Sequence, residues 1–174
     1  MLDETDDAPL VEIDHLRVEF DTNDGLVVGV EDVSFHINSG ETVCVVGESG
    51  SGKSISSLSI MRLVEFGGGR IAGGDLKFRR ENSKVLDVSE AENSLMRQIR
   101  GNEIAMIFQE PMSALNPVFT IERQLSEGLI VHKGLSKKAA RAKALELMKR
   151  VRIPEPERRL KQYPHELSGG MRQR

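Results

Sequence analysis

The chain has 174 residues, of which 39% are hydrophobic and 29% charged, a balance typical of a soluble globular domain with its own core. Its formal net charge of −3 gives no general reason to expect nucleic acid as a partner. No apolar run approaches the roughly 20 residues of a membrane-spanning helix. The single cysteine cannot form an internal disulfide, which is compatible with a reducing cytosol.

The first part of the chain predicts an acidic leader and two strands. Residues 1–9 are acidic and lack an apolar segment, so we expect a short disordered leader rather than a secretory signal. The stretch "LVEIDHLRVEF" at 10–20 alternates apolar and other residues, as a half-buried strand does. Turn-forming residues at 21–25 separate it from a second strand-like run, "LVVGVEDVSFHI", at 26–37.

A short, nearly continuous apolar run, "TVCVVG", follows at 42–47. Such a run is typical of a strand buried on both faces in a parallel sheet, and Cys44 within it is expected to be buried. Residues 53–66 then have the spacing of an amphipathic helix, which the glycine-rich stretch 67–74 ends. The predicted apolar face of this helix consists of Ile55, Leu58, Met61 and Val64.

The remaining elements alternate between strand and helix before a helical block. Residues 75–88 predict a hairpin, 89–101 a short helix and 103–109, "EIAMIFQ", a second buried strand. Two helices are predicted within 120–152, separated near Gly134, and the basic residues of the second are expected to form a solvated face. This order indicates an α/β fold with an α-helical insertion.

The strongest motif is "GESGSGKS", which fits G-x-x-x-x-G-K-[ST] between a predicted buried strand and a predicted helix. Its glycines let consecutive backbone N–H groups surround phosphate oxygens, and the N-terminus of the following helix favours the same anion. Lys53 can reach the β- and γ-phosphates, while the Ser54 hydroxyl can ligate Mg²⁺. The candidate nucleotide-binding residues are Gly47, Glu48, Ser49, Gly50, Ser51, Gly52, Lys53 and Ser54.

A phosphate loop does not name the reaction, because kinases, GTPases, motor proteins and transporter ATPases all use it. Two later stretches narrow the choice: "IAMIFQEPMSALNP" at 104–117 and "YPHELSGGMRQR" at 163–174. With the phosphate loop, in this order and spacing, they make the chain resemble the ATP-binding domain of ABC transporters. The resemblance implies a P-loop NTPase-like α/β fold with an antiparallel β subdomain, a partial parallel core sheet and an α-helical insertion.

The resemblance also implies roles for individual residues toward ATP and Mg²⁺. Gln109, at the end of a predicted strand, matches the family's Q-loop glutamine, which ligates Mg²⁺ and orients the attacking water. Phe20 lies where the family places an aromatic residue, usually Tyr, that stacks on adenine. Ser54 would be the second protein ligand of Mg²⁺. The signature motif, which acts on the nucleotide of the opposite domain in a dimer, corresponds to Leu167, Ser168, Gly169, Gly170 and Met171.

The three motifs are most similar to the branch of importers for dipeptides, oligopeptides, nickel and glutathione. This similarity extends from Val11 to Arg174 and, for the glutathione importers, covers the first half of the ATP-binding protein. It implies a second nucleotide-binding domain and membrane permease subunits as partners, with a periplasmic solute-binding protein as an indirect one. The loop 110–116 and the helical insertion would contact the permease. The expected location is cytoplasmic, peripheral on the inner face of the cell membrane.

The chain ends at Arg174, inside the helix that the signature motif begins. In the family, an Mg²⁺-holding Asp, a general-base Glu and a switch His come later, and none can be identified in these 174 residues. We therefore expect a partial, C-terminally incomplete domain at 10–174. Its β subdomain and nucleotide-binding core would occupy 10–110, and its helical subdomain would occupy 111–174.

Two functions remain open on these observations. The chain is either the ATP-binding part of an importer that couples ATP hydrolysis to uptake, or a truncated, non-hydrolysing fragment that pairs with intact subunits. Gln109 and "LSGGM" argue against an unrelated phosphate-loop kinase. The histidines at 15, 36 and 132 have no metal-ligand spacing, so no zinc site is expected.

Overall fold

The structure, a computed structural model, describes residues 8–109 and 114–174. The predicted disordered leader at 1–9 therefore falls mostly outside the described residues. The chain divides into two compact units, the first ending at Glu103 and the second beginning at Ile104. Each unit is described by itself below.

The first unit contains one antiparallel sheet with the strand order β2-β1-β3-β4. The two predicted N-terminal strands and the predicted hairpin are confirmed. The third strand begins earlier than predicted, because the glycine-rich stretch that ends the preceding helical segment pairs with β1. The strands are β1 (Val11–Thr22), β2 (Gly25–Ile37), β3 (Gly69–Arg79) and β4 (Val85–Asp87).

The first unit also contains two short helices and a 3-10 turn: α1 (Lys53–Ile60), the turn Leu63–Gly67 and α2 (Asn93–Ile99). The alternation of β1 places its apolar side chains in the core, as the sequence predicts. The largest fully buried side chains of the unit are Ile13, Leu16, Val18, Leu76, Val88, Met96 and Ile99.

The predicted apolar face of the first helix is only partly confirmed. Met61 and Val64 are buried but lie beyond the end of α1. Within α1 the two buried residues are serines, Ser56 and Ser59. Their hydroxyls donate to the carbonyl oxygens four residues earlier, at 3.0 and 2.8 Å, and this internal pairing allows small polar side chains to be buried.

The two predicted buried parallel strands, 42–47 and 103–109, are not formed in the described residues, so the expected partial parallel sheet is wrong in this respect. Cys44, predicted to be buried, is exposed, and Ile107 is 92% exposed. A parallel strand needs neighbouring strands to bond its backbone groups. Neither segment pairs with the other or with the antiparallel sheet, so both remain irregular.

A bulge interrupts β1 at Asp14 and His15, where its register shifts against both neighbouring strands. His15 adopts a left-handed conformation with φ of 51°. Its backbone N–H donates to Ser34 Oγ at 2.8 Å, and its Nδ1 lies 3.0 Å from Asp32 Oδ1. The hydrogen bond with Asp32, followed by the charges of Asp32 and Asp14, raises the pKa of His15 above 6.5.

The His15–Asp32 pair predicts how the stability of the fold depends on pH. Because the folded-state pKa is raised, the stability it contributes is fully present below the unfolded value and is lost as pH rises through the folded value. We expect an NMR titration of the His15 ring to show a midpoint above 6.5. Asp32→Asn should lower that midpoint, whereas Asp24→Asn, in the β1–β2 turn, should leave it nearly unchanged. An unaltered midpoint in Asp32→Asn would contradict the pairing.

The second unit is helical, and its two main helices confirm the prediction for 120–152. Thr120 and Ser136 cap them at their N-termini by accepting a backbone N–H, and Gly134 ends the first in a left-handed conformation. The basic face of the second helix is solvated, as predicted. The helices are α3 (Ile121–Lys133), α4 (Lys137–Arg150), α5 (Pro156–Arg159) and α6 (Gly169–Arg172), with a 3-10 turn at Pro164–Glu166.

The core of the second unit is assembled from α3, α4 and the segments that follow them. Its buried members are Ile121, Ala144, Met148, Ile153, Leu160 and Leu167. Across the parts of the chain that the structure describes, we find no helix with the length and apolar character needed to cross a membrane.

Candidate functional site

The phosphate-loop motif forms a tight turn that leads directly into α1. Gly50 and Gly52 have φ angles of 84° and 86°, a conformation that side chains with a Cβ rarely adopt. At Gly52 a Cβ would also be crowded, because it would lie 3.0 Å from the carbonyl oxygen of Gly29 and 3.1 Å from Val30 Cγ2. The motif therefore needs glycine at 52 both for its turn and for close packing against β2.

Lys53 folds its side chain over this turn. Its ammonium group donates to the carbonyl oxygens of Gly47 and Glu48 at 2.8 and 2.5 Å and to Ser51 Oγ at 3.1 Å. All three acceptors are neutral, and none of the salt bridges found within the described ranges involves Lys53. Among the residues that the structure describes, the loop thus holds a positive charge that no carboxylate pairs with.

The start of α1 adds to this positive character. Its N-terminus has no side-chain cap and no acidic residue in its first turn, so its first N–H groups and their partial positive charge stay available. Ser54, the second residue of the helix, is exposed. Together with Lys53, these groups suit the binding of a multiply charged anion such as a polyphosphate.

Phe20 lies in β1 on the same side of the unit as the phosphate loop. A Cβ placed on Gly29 would lie 2.7 Å from Phe20 Cε2 and 2.8 Å from Ile55 Cδ1 of α1. Gly52, at the end of the loop, packs against the carbonyl oxygen of the same Gly29. The structure therefore brings the half-buried Phe20 ring and the end of the phosphate loop to one position on β2.

The residue before Phe20 anchors this part of the sheet. The Glu19 carboxylate accepts hydrogen bonds from Arg70 on β3 and from Arg17, both at 2.8 Å, and the side chain is 10% exposed. The hydrogen bond from Arg70, followed by that from Arg17, lowers the pKa of Glu19. This ionised carboxylate ties β1 to β3 at the position that precedes Phe20 in the strand.

Gln109 belongs to the second unit, where it lies at an exposed bend. The expectation that it ends a strand is wrong, because the segment before it forms no strand in the described residues. The loop predicted to follow it, 110–116, is described only from residue 114 onward.

Sequence reasoning missed the residue that organises the end of this loop. The Gln124 amide accepts a hydrogen bond from Asn116 N–H at 2.9 Å and donates to the carbonyl oxygens of Asn116 and Phe119 at 2.9 and 2.8 Å. The one sequence signal for Gln124 is its position in the first turn of α3, four residues after the Thr120 cap. Gln124 therefore fixes the "NPVF" turn to the helix.

The signature residues form a turn that enters α6, as predicted. Ser168 is the N-cap, and its Oγ accepts the Met171 N–H at 3.3 Å. Gly169 and Gly170 are exposed, while Leu167 belongs to the core of the unit. The preceding 3-10 turn is locked by the Glu166 carboxylate, which accepts the Tyr163 N–H at 2.8 Å. Leu167 thus anchors a turn whose glycines face solvent.

Comparison with known proteins identifies relatives of this chain. The protein-family profile described as ABC transporter matches residues 30–174. A peptide import ATP-binding protein of Brucella abortus is 51% identical over 166 residues, covering 95% of this chain and 49% of the relative. The glutathione import ATP-binding protein GsiA of Salmonella typhimurium is 45% identical over 172 residues, covering 99% of this chain and 28% of the relative. The chain thus spans about half or less of the length of the curated relatives it matches.

A solved structure shows the same relationship at the level of the fold. The ATP-binding cassette MJ0796, as a dimer in a post-hydrolysis state bound to ADP and Pi, superposes with a TM-score of 0.75 at 25% identity. The match covers 94% of this chain and 65% of that one. The family profile, the relatives and the fold agree, and the chain belongs to the ABC transporter family.

Proposed function

We propose that this chain binds ATP through the phosphate loop and α1. The observation that supports this most directly is the Lys53 ammonium, held over the loop by neutral acceptors and unpaired with any acid in the described salt bridges. The oxygens of a polyphosphate would accept hydrogen bonds from this ammonium group, in place of those that the Gly47 and Glu48 carbonyls accept. The remaining loop residues would contribute backbone N–H groups around the phosphates.

Ser54 and Gln109 offer oxygen atoms of the kind that Mg²⁺ binds. Ser54 has an exposed hydroxyl at the start of α1, and Gln109 has an exposed side-chain amide. Hydroxyl and amide oxygens are ligands that Mg²⁺ accepts while it keeps waters and phosphate oxygens. When bound, the ion would neutralise charge on the β- and γ-phosphates. Ser54 would hold it from α1, and the family resemblance assigns the same role to Gln109.

For the whole protein we propose the ATP-binding component of an importer for peptides or glutathione, in which ATP hydrolysis is coupled to uptake. The names of the relatives support this, since they are peptide and glutathione import ATP-binding proteins. Phe20 would stack on adenine, and Leu167–Met171 would complete the site of a second nucleotide-binding domain. That MJ0796 is solved as a dimer supports such a pairing.

Membership of this family also supports a division of the chain into subdomains and a location for the protein. Residues 10–110 would form the β subdomain and nucleotide-binding core, and 111–174 the helical subdomain. The protein would lie at the cytoplasmic face of the membrane, bound to permease subunits and receiving solute indirectly from a periplasmic binding protein.

Titration calorimetry with ATP tests the binding proposal. We expect one nucleotide per chain, with affinity increased by Mg²⁺. Ser54→Ala should weaken binding in Mg²⁺ but change it little in EDTA, because only the metal-dependent part uses this hydroxyl. The matched control is Ser57→Ala. Ser57 lies one helical turn after Lys53, and its hydroxyl donates to the Lys53 carbonyl oxygen. Absence of saturable ATP binding by the unmodified chain would contradict the proposal.

Uptake measurements test the transport proposal. A strain in which the native gene is deleted should take up labelled glutathione or peptides more slowly, and the intact gene should restore the rate. Restoration by a gene carrying a Lys53 substitution would contradict a role for this nucleotide site in uptake.

A further inference from the structure

The ring of Phe20 fills the space that side chains at two glycines would need. A Cβ placed on Gly29 of β2 would lie 2.7 Å from Phe20 Cε2, and one placed on Gly69 of β3 would lie 2.6 Å from Cε1. Real Cβ atoms essentially never approach a neighbour this closely. The ring therefore reaches from β2 to β3, with one edge beside each glycine.

Backbone conformation does not explain why these two positions are glycine. Neither Gly29 nor Gly69 is among the glycines with a positive φ, so other residues could adopt the same backbone angles. Glycine inside a strand weakens it, and it often marks a close approach by another group. What Gly29 and Gly69 provide is room for the aromatic ring.

The backbone around the ring is held in place on both sides. On β3, Arg70 follows Gly69 and donates to the carboxylate of Glu19, the residue before Phe20, at 2.8 Å. On β2, the carbonyl oxygen of Gly29 packs closely against Gly52. A Cβ added to Gly52 would lie 3.0 Å from this oxygen. A methyl group added at Gly69 would therefore displace the ring, which is a side-chain end, and not the strands. At Gly29 it would displace the ring and the end of the Ile55 side chain, whose Cδ1 would lie 2.8 Å away.

We infer that Gly29 and Gly69 are positioning residues for the nucleotide base, because their empty Cβ positions keep the Phe20 ring in place across β1, beside the end of the phosphate loop. This inference rests on the proposed ATP binding. Phe20 itself would make the contact with the base, and the glycines would act only through it. Binding of the phosphates, which uses Lys53 and the loop, should not depend on them.

The test compares a ligand that has a base with one that lacks it. Affinities of the 174-residue chain for MgATP and for magnesium tripolyphosphate are measured by calorimetry for the unmodified chain, Phe20→Ala, Gly29→Ala and Gly69→Ala. The matched control is Gly73→Ala, also in β3, where an added Cβ would meet nothing closer than Arg17 Cβ at 3.7 Å. Thermal unfolding of each variant checks that the sheet is intact.

We expect all three test variants to bind MgATP about tenfold more weakly, the scale of a lost base–aromatic stack. Their affinity for tripolyphosphate should stay unchanged, and Gly73→Ala should bind both ligands like the unmodified chain. A purely structural role of the glycines would instead weaken both ligands together, and that result would overturn the inference.

Three further outcomes would also overturn it. If Phe20→Ala alone loses affinity for MgATP, the glycines do not position the ring. If Phe20→Ala binds MgATP normally, the ring is not the platform for the base, although the proposed ATP binding stands. Failure of the unmodified chain to bind either ligand would refute the proposed function itself, and the inference with it.

Discussion

Replacing Lys53 by alanine is expected to weaken ATP binding by about a hundredfold. A hydrogen bond to a charged group contributes about 1.5–3 kcal/mol, and about 1.4 kcal/mol corresponds to a tenfold change in affinity. Two bonds from the ammonium group to phosphate oxygens account for such a loss. The substitution also removes the bonds to Gly47, Glu48 and Ser51 that shape the loop. The measurement is a calorimetric titration with MgATP.

A lysine elsewhere on the chain controls for the general loss of a positive charge. Lys143 on α4 is exposed and pairs with Glu146 at 2.8 Å, an arrangement that contributes little to stability. Lys143→Ala should bind ATP like the unmodified chain. Equal affinities of Lys53→Ala and Lys143→Ala would remove the main support for the nucleotide site.

Replacing Gly74 by alanine is expected to destabilise the first unit by about 3 kcal/mol or more. Gly74 has a φ of 83°, which alanine adopts only with strain. An added Cβ would also lie 2.3 Å from the His15 carbonyl oxygen and 2.5 Å from that of Asp14. Both are backbone atoms of the bulge in β1, so no side-chain rotation can relieve the contact.

The neighbouring glycine provides the matched comparison for this stability measurement. Gly73→Ala lies in the same strand, has no positive φ, and its Cβ would meet Arg17 Cβ at an ordinary 3.7 Å. Urea unfolding should show a much lower midpoint for Gly74→Ala and little change for Gly73→Ala. Similar midpoints for the two variants would show that the bulge tolerates a side chain at 74.

Features that depend on neighbours in the chain could be predicted from the sequence. The alternation of β1, the turn at 21–25, the break between α3 and α4 near Gly134, and the glycine-rich loop before α1 all match the structure. In each case the interacting groups are a few residues apart, so side-chain type and spacing specify the geometry. The family motifs are of the same local kind, which is why the family could be recognised from them.

Features that depend on distant partners were decided by tertiary structure. The run around Cys44 is apolar enough for a buried strand, yet it has no strand beside it among the described residues and stays exposed. The burial of Ser56 and the fit of Phe20 between Gly29 and Gly69 likewise require elements far apart in the sequence. Hydrophobicity states only that a segment can be buried, whereas pairing and packing decide whether and against what it is buried.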